Sequence, residues 1–393
     1  MHPVHYVTEV LSSLADIHET DWDGLLLTQT EPTPFMRWAY LRAMQDSGCA
    51  TSLSGWSPRW VLLRERGQLM AACPLYIKNH SYGEYIFDWA WAQAYQRHGL
   101  DYYPKGVVSV PFTPVPGARL LARDATWRAC LIDALMQIAQ QEKLSSLHLL
   151  WASPSDLQAA SEAGWMRRSG VQFHWKRSGC TDFQGFLASL KQDKRKKINQ
   201  ERRKVAQAGI TFKHLQGEQI TSSDWDFFDR CYAQTYAEHG NPPYLNRAFF
   251  SMMERHMHPH WVMIQAWRDA RPIACSLLAL QDLGPGQRTA YGRYWGALER
   301  HDCLHFETCY HQPIEWCIQH QVDRFEGGAQ GEHKMSRALL PVATGSAHWV
   351  AHAAFAKAIG DFLERETQGV DDYLEDLKLR SPLSLIHISE PTR

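Results

Sequence analysis

Two widely separated stretches of this chain carry nearly the same text, and that repeat limits the available folds more than any other feature. At Trp60–Leu63 the sequence reads WVLL, passes a charged turn ending at Gly67, and continues LMAACPL to Leu75. At Trp261–Ile264 it reads WVMI, passes a second charged turn, and continues PIACSLL from Pro272 to Leu278. Apolar runs on either side of a short polar turn signal a β-hairpin. Downstream lie Tyr82-Gly83-Glu84-Tyr85 in one case and Tyr291-Gly292-Arg293-Tyr294 in the other. Each half then shows helix, strand, turn and a strand holding His-Trp, at His174-Trp175 and His348-Trp349. Landmarks recurring in one order indicate two copies of a single mixed α/β unit. A chain of 393 residues is also too long for one ordinary core. The expected domains are 1–178, with an insertion at about 80–118, and 179–370, entered through a basic helix. Residues 371–393 form a tail.

Between the landmarks, periodicity predicts helices at 7–17, 34–47, 124–142, 154–163, 187–208, 222–239, 246–256, 304–320 and 351–367. Strands are expected at 145–151, 169–176, 210–214, 289–297, 322–327 and 346–350, with a short helix near 332–338. The aromatic, Gly- and Pro-rich segment 80–118 reads as irregular backbone with one or two short strands. The last eleven residues, Leu383–Arg393 (LSLIHISEPTR), read as the translation of a sequencing-library adaptor foreign to the natural chain.

Charge narrows the function classes. The formal net charge is -1, so no global field draws the chain to nucleic acid or to a membrane. DNA is not an expected partner. Nine cysteines without a CxxC pair argue against a disulfide framework and fit a reducing, cytoplasmic compartment. Met1–Ile17 lacks the basic start and apolar run of a signal peptide, and no apolar run is long enough for stable membrane insertion.

The motifs resemble a known family. HSYGEYIFDWAWAQAY (80–95), YYPK (102–105), VPFTPVPGARLL (110–121), KRKKINQERR (194–203), YGRYWG (291–296), LHFETCY (304–310) and FEGGAQGEHK (325–334) carry the resemblance. With His348-Trp349 they cover about residues 8–370. They are similar to a GNAT-like predicted N-acyltransferase family of the peptidoglycan biosynthesis/recognition type, related to Fem-type aminoacyl transferases. The resemblance implies an α/β (α+β) fold of two tandem GNAT-like acyltransferase domains, each a mixed twisted sheet flanked by helices. It implies an N-acyltransferase that moves an acyl group from acyl-CoA or aminoacyl-tRNA, as co-substrate, to a small-molecule or peptide amine. No tightly bound cofactor is expected, and tRNA is a candidate partner. The alternative is a non-catalytic module that recognises a cell-wall precursor or peptide. The activity of this family is named chiefly by analogy of fold.

The stretch from Phe325 to Lys334 is the most informative chemically. It leaves a strand, passes Gly327, Gly328, Gln330 and Gly331, and opens a short helix. Such a turn lets backbone N–H groups approach an anion. Its Gly-Gly followed by Lys334 matches the corresponding strand end of Fem-type proteins. Acyl transfer to an amine needs a proton acceptor and oxyanion donors. Glu332, His333 and Glu326 are candidate bases, Lys334 a candidate for neutralising an oxyanion or phosphate, and Tyr294 a candidate proton donor to the leaving group. Arg293 lies beside it. Strand alternation would send Arg293 and Trp295 to one face and Tyr294 to the other.

His301, Cys303, His305, Glu307, Cys309 and His311 crowd eleven residues. On a helix, His305 pairs with Cys309 and Glu307 with His311 on different faces, so one metal ion cannot take all four, and no metal is expected. The resemblance favours His305 and Glu307 as site residues. The run Lys191–Lys204 is dominated by basic residues. A solvated helix face is its default reading. Phosphate binding through Lys194, Arg195, Lys197 and Arg202 is the sharper one. Fem-type proteins carry a similar basic stretch. In the first half, Asp88 and Trp89 sit among aromatics that suit either a ligand cleft wall or a repacked core.

Overall fold

The computed structural model describes residues 5–329 and 331–384. It divides into two compact units, one of Met1–Gly170 with Ala343–Asp371 and one of Val171–Val342 with Asp372–Arg393. The units are therefore not consecutive halves. Residues 343–371 belong to the first unit rather than to the expected 179–370, because Ala347–Val350 forms a ladder with Ser146–Leu149.

The first unit contains β1 (Val7–Leu11), β2 (Ser57–Glu65), β3 (Gln68–Lys78), β4 (Lys105–Val108), β5 (Leu121–Ala122) and β6 (Ser146–Leu149). Its helices are α1 (Glu19–Leu27), α2 (Trp38–Asp46), α3 (Trp89–Arg97), α4 (Ala125–Gln141) and α5 (Pro154–Glu162). The second unit's strands are β7 (Met166–Lys176, from Val171), β8 (Thr211–Gln216), β9 (Trp261–Arg268), β10 (Arg271–Asp282), β11 (Arg288–Ala297) and β12 (Arg324–Ala329). Its helices are α6 (Phe183–Ala188), α7 (Gln192–Gln207), α8 (Ser222–Glu238), α9 (Arg247–His256), α10 (Leu304–Phe306) and α11 (Gln312–Gln319). Strand β13 (Leu340–Val350) returns to the first unit, and α12 (Ala353–Leu379) begins there.

In the first unit the strand order is β1-β2-β3-β4-β6-β13, with β5 against β3. Pair β4/β6 is parallel and its neighbours are antiparallel. Hairpin β2/β3 closes through Arg66 and Gly67, both at positive φ (49° and 81°). That conformation matches the right-handed twist of the paired strands. Helix α4 starts at Asp124, whose carboxylate accepts from the Trp127 N–H at 3.0 Å. It presents Leu131, Ile132, Leu135 and Ile138 to the hairpin core. Each such burial contributes about 1.5–3 kcal/mol. Residues 7–11 form an edge strand on β2 rather than the start of a helix. Residues 89–97, read as irregular, form a helix with Trp91 and Tyr95 buried.

In the second unit the order is β7-β12-β11-β10-β9-β8, and β11/β12 is its parallel pair. Hairpin β9/β10 turns through Asp269 and Ala270, again both at positive φ (50° and 60°). The charged segment 187–208 is two helices, broken at Ser189–Lys191. On α7, Ile198, Glu201 and Val205 are buried and the remaining positions are half-buried or exposed. The predicted helix 304–320 is interrupted by a π-turn, Glu307–His311. Each unit is thus a mixed sheet flanked by helices. The Tyr82–Tyr85 text is not the counterpart of Tyr291–Tyr294: it lies before α3, and the strand matching β11 is β4.

Candidate functional site

The second unit's parallel pair opens into a cleft. Strands β11 and β12 are in register at Thr289–Tyr291 and Arg324–Glu326, and the ladder stops there. Beyond it β12 follows β7, while β11 follows β10. Strand β11 is also bulged: Tyr294 faces Leu277 and Gly292 faces Leu278, leaving Arg293 as the extra residue. The opening holds a cavity of about 140 Å³, lined by Gly292–Trp295, by Ser276–Leu278 of β10, by Phe325 and Gly327 of β12, and by His305, Cys309 and Tyr310 below. The bulge cancels simple alternation, so Arg293, Tyr294 and Trp295 all line it, against the sequence expectation. The Arg293 guanidinium lies 4.9 Å from the Tyr294 ring centre and donates to its hydroxyl at 3.4 Å.

Under the cleft, two faces of the helix interrupted by the π-turn separate. His305 and Cys309 line the cavity, whereas Glu307 and His311 turn toward α7. His305 packs edge-on against Trp295 and Tyr310, at 5.2 and 5.7 Å between ring centres. Burial lowers its pKa to about 4, helped by the nearby His333, Arg337 and Lys334 charges. It is a neutral imidazole at physiological pH. Burial pushes the Cys309 thiol up, which makes it inert. Glu307 is buried and accepts from Arg202 at 3.1 Å and Gln312 at 2.7 Å. Arg202 also holds Glu315 at 2.6 Å and lies over the Phe183 ring. This pair fastens α7 to the helix and leaves neither residue to the cleft. Among the described residues no group of three or more His, Cys, Asp and Glu is placed to hold a metal ion.

The glycine turn shapes one rim. Gly328 and Gly331 take positive φ (79° and 103°), conformations disfavoured for other residues. Gln330 lies outside the described residues. The helix that follows is a 3₁₀ segment, Glu332–Arg337, too short to place a sizeable dipole behind an anion. Lys334 is buried, donates to the Gly328 carbonyl at 2.8 Å, and has its pKa lowered to about 8 by burial. His333 is exposed at the rim, 3.4 Å from the Tyr310 hydroxyl. Two sequence candidates face elsewhere. Glu332 is exposed and held by Tyr373 (2.7 Å) and Arg380 (3.0 Å). Glu326 alternates away from Phe325 and Gly327, and lies 3.1 Å from Arg324 and 3.7 Å from His174.

Helix α7 borders this turn. Buried Arg337 donates to Glu201 at 2.7 Å and to the His333 carbonyl at 2.9 Å, and its guanidinium covers the Phe306 ring at 3.7 Å. Glu201 also receives His311 at 3.0 Å. Lys197 contributes to the depressed pKa of His333, after burial, Arg337 and Lys334. Lys194 is paired with Asp193 at 2.9 Å. Arg195 and Lys197 have no ion pair among the described residues.

These features were compared with known proteins. A family described as FemAB-like, peptidoglycan biosynthesis/recognition, matches residues 13–384. The chain belongs to the FemAB-like family. No curated protein sequence matches it. Among solved structures this FemAB-like chain is similar to FemX, with a TM-score of 0.53 at 10% identity over 90% of this chain and 100% of that one. It is similar to L-PGS from Bacillus licheniformis, with a TM-score of 0.51 at 9% identity over 86% and 98%. It is also similar to the C-terminal domain of a putative lysylphosphatidylglycerol synthetase from Agrobacterium fabrum, with a TM-score of 0.50 at 11% identity over 82% and 96%. At such identities the likeness establishes the fold. Among the described residues of the FemAB-like chain no helix is long and apolar enough to cross a membrane.

The first unit of this FemAB-like protein disposes of its candidates differently. Asp88 is buried, accepts from Lys105 at 2.5 Å and from the Tyr102 hydroxyl at 2.6 Å. Lys105 also donates to Glu84 and Ser81, both at 2.8 Å. Lys78 lies 3.8 Å from Glu84 and 3.4 Å above the Trp56 ring. Burial opposes charge on Asp88, but Lys105 overrules it and holds the carboxyl well below the usual range. The network continues through His148, which meets Ser146 at 2.8 Å and His348 at 2.8 Å. Trp89 is 36% exposed and stands edge-on to Tyr82 at 5.1 Å. Asp88 is thus a member of a buried ion network, not a wall of a cleft. Sequence reasoning missed Tyr310, Arg337 and the His148–His348 pair. The repeated His-Trp text was the one signal that pointed toward His348.

Proposed function

We propose that this FemAB-like protein is an acyl- or aminoacyl-transferase and that its second unit performs the reaction. The observation that carries the reading is the splayed β11/β12 pair, bulged at Arg293, which opens a cleft lined by the neutral His305 imidazole and by Gly327, with buried Lys334 packed against that glycine. A carbonyl held in that cleft is attacked by the acceptor amine. The N–C bond forms and the bond from carbonyl carbon to the donor's sulfur or oxygen breaks. The amine gives up one proton and the departing thiolate or alkoxide gains one. Lys334, cationic below about pH 8, stabilises the oxyanion or a donor phosphate from beneath Gly327 and Gly328. Tyr294 supplies a hydroxyl for the leaving group, and His305 accepts the amine proton. The cations of α7, half-buried Arg195 and exposed Lys197 among them, favour a phosphate-bearing donor, acyl-CoA or aminoacyl-tRNA.

The first experiment titrates the full chain with acetyl-CoA and with pooled aminoacyl-tRNA at two salt concentrations, each with and without an amine acceptor such as a lysine-containing peptide. Saturable binding and transfer lost in Lys334→Ala supports the reading. Salt-sensitive tRNA binding that weakens in Arg195→Ala/Lys197→Ala selects the aminoacyl donor. Binding of the peptide with no transfer from either donor supports a recognition module and rejects the transferase.

A further inference from the structure

We infer that the first unit carries a separate binding site for the ring of a neutral saccharide. The site is a groove of about 560 Å³ between the C-terminal end of α4, the start of β6 and the end of β13. Its volume falls within the range of about 300–1,000 Å³ typical of small-molecule sites. Three aromatic side chains line it: Tyr95, Tyr103 and Trp349. Two are fixed without a ligand. Tyr103 is tied through its hydroxyl to Ser81 at 2.9 Å and stands edge-on to Tyr102 at 5.1 Å. Tyr95 stacks on Phe355, with ring centres 4.0 Å apart and planes tilted by 31°. The Tyr95 side chain is 3% exposed, and its hydroxyl has no hydrogen-bond partner among the described residues. A ligand hydroxyl or an ordered water would satisfy it.

The rim sets the chemical class. It carries Asp101, Gln140, Lys143 and His352, all exposed, and none of these side chains is hydrogen-bonded or ion-paired among the described residues. The Asp101 carboxylate offsets the Lys143 ammonium and His352 adds an imidazole, so no strong net charge selects an anion or a cation. A wholly apolar ligand would strip water from these polar side chains and return nothing. A sugar ring meets both demands. Its C–H faces lie on aromatic rings, and its hydroxyls donate to the carboxylate, accept from the ammonium and do both with the amide. This inference does not depend on the reaction proposed for the second unit.

Saturation-transfer NMR and calorimetry on the full chain test it with maltose, cellobiose and N,N′-diacetylchitobiose. At least one of these is expected to show saturation of ring C–H protons and millimolar affinity. Binding should weaken at least tenfold in Trp349→Ala and in Asp101→Ala, and survive in Trp349→Phe. Asp101 is exposed, so its variant should keep the wild-type melting temperature and separate lost contact from lost folding. Absence of transfer from all three disaccharides overturns the site. Binding that persists unchanged in both alanine variants overturns its location. Tighter binding of an apolar tripeptide such as Ala-Leu-Ala overturns the saccharide class.

Discussion

In the first unit the parallel pair β4/β6 runs through Gly106/Leu147, Val107/His148 and Val108/Leu149, and Leu150 still donates to the Val108 carbonyl at 3.0 Å. In the second unit the corresponding pair β11/β12 stops after Tyr291/Glu326 and parts. The two ladders are equally short, but β4 pairs with β3 without a bulge, whereas β11 is bulged against β10 at Arg293 and lines a cavity. Charge follows the backbone. Beside the regular β4, two lysines and two carboxylates are sealed together at Lys78, Lys105, Glu84 and Asp88. Beside the bulged β11, Arg293, His305 and Tyr294 line a cavity. The two units thus bury their polar groups as internal fasteners in one case and leave them lining a cavity in the other.

The contrast can be broken most severely at Lys105. Lys105→Ala leaves Glu84 and Asp88 buried without their main partner, and should destabilise the protein by about 3–5 kcal/mol. Urea denaturation of the full chain measures this, and a loss below about 1 kcal/mol would mean that the network is not a fastener. At the cleft the expected loss is of activity instead. Lys334→Ala should lower turnover on the order of a hundredfold, while unfolding free energy stays within about 1 kcal/mol. The reverse pattern would make Lys334 structural.

Protonation sharpens the comparison next. Burial lowers His148 and His174 to about 3 and His305 to about 4, in each case from 6.5. Between those values and 6.5 the unfolded chain binds more protons than the folded one, so stability falls as pH drops from about 6.5 toward 4. The slope is about 1.4 kcal/mol per pH unit for each such histidine. In denaturation curves over that range, replacing His148 by Gln should flatten the slope, and an unchanged slope would assign the acid sensitivity elsewhere. On the activity side, a cationic role for Lys334 predicts that the rate declines above about pH 8 and that Lys334→Arg moves the decline upward. The smallest effect is expected at Glu332, whose carboxylate is occupied by Tyr373 and Arg380. Glu332→Gln should leave kcat/KM and the melting temperature unchanged, and a large fall in kcat would restore it as a base.

Much of the fold was legible because its signals are local. The two hairpins, α4, α8 and the strand leading to Phe325-Glu326-Gly327 follow from apolar spacing and turn residues. The misread elements were those that local pattern does not settle. Residues 7–11 are a strand because β2 offers them an edge. Helix α3 was hidden in an aromatic-rich segment whose Trp91 and Tyr95 are core residues. The candidate site divides in the same way. The crowd at 301–311 suggested two helix faces, and His305 and Cys309 do separate from Glu307 and His311. Strand alternation then failed at Arg293, because a bulge is defined by the partner strand β10 and not by the residues of β11 alone.

By itself the sequence determined the two hairpins, the FemAB-like resemblance, and a short list of candidate groups for acyl-transfer chemistry. These follow from residue type and spacing along one element. The tertiary structure alone decided that residues 343–371 complete the first unit, that β11 and β12 part after Tyr291, and that Glu326 and Glu332 face away from the cleft. It also decided that Asp88 is sealed with Lys105. The physical reason is the same in each case. Whether a polar side chain is a reagent or a fastener depends on which opposite charge or strand edge lies within about 3 Å of it, and those neighbours come from distant parts of the chain.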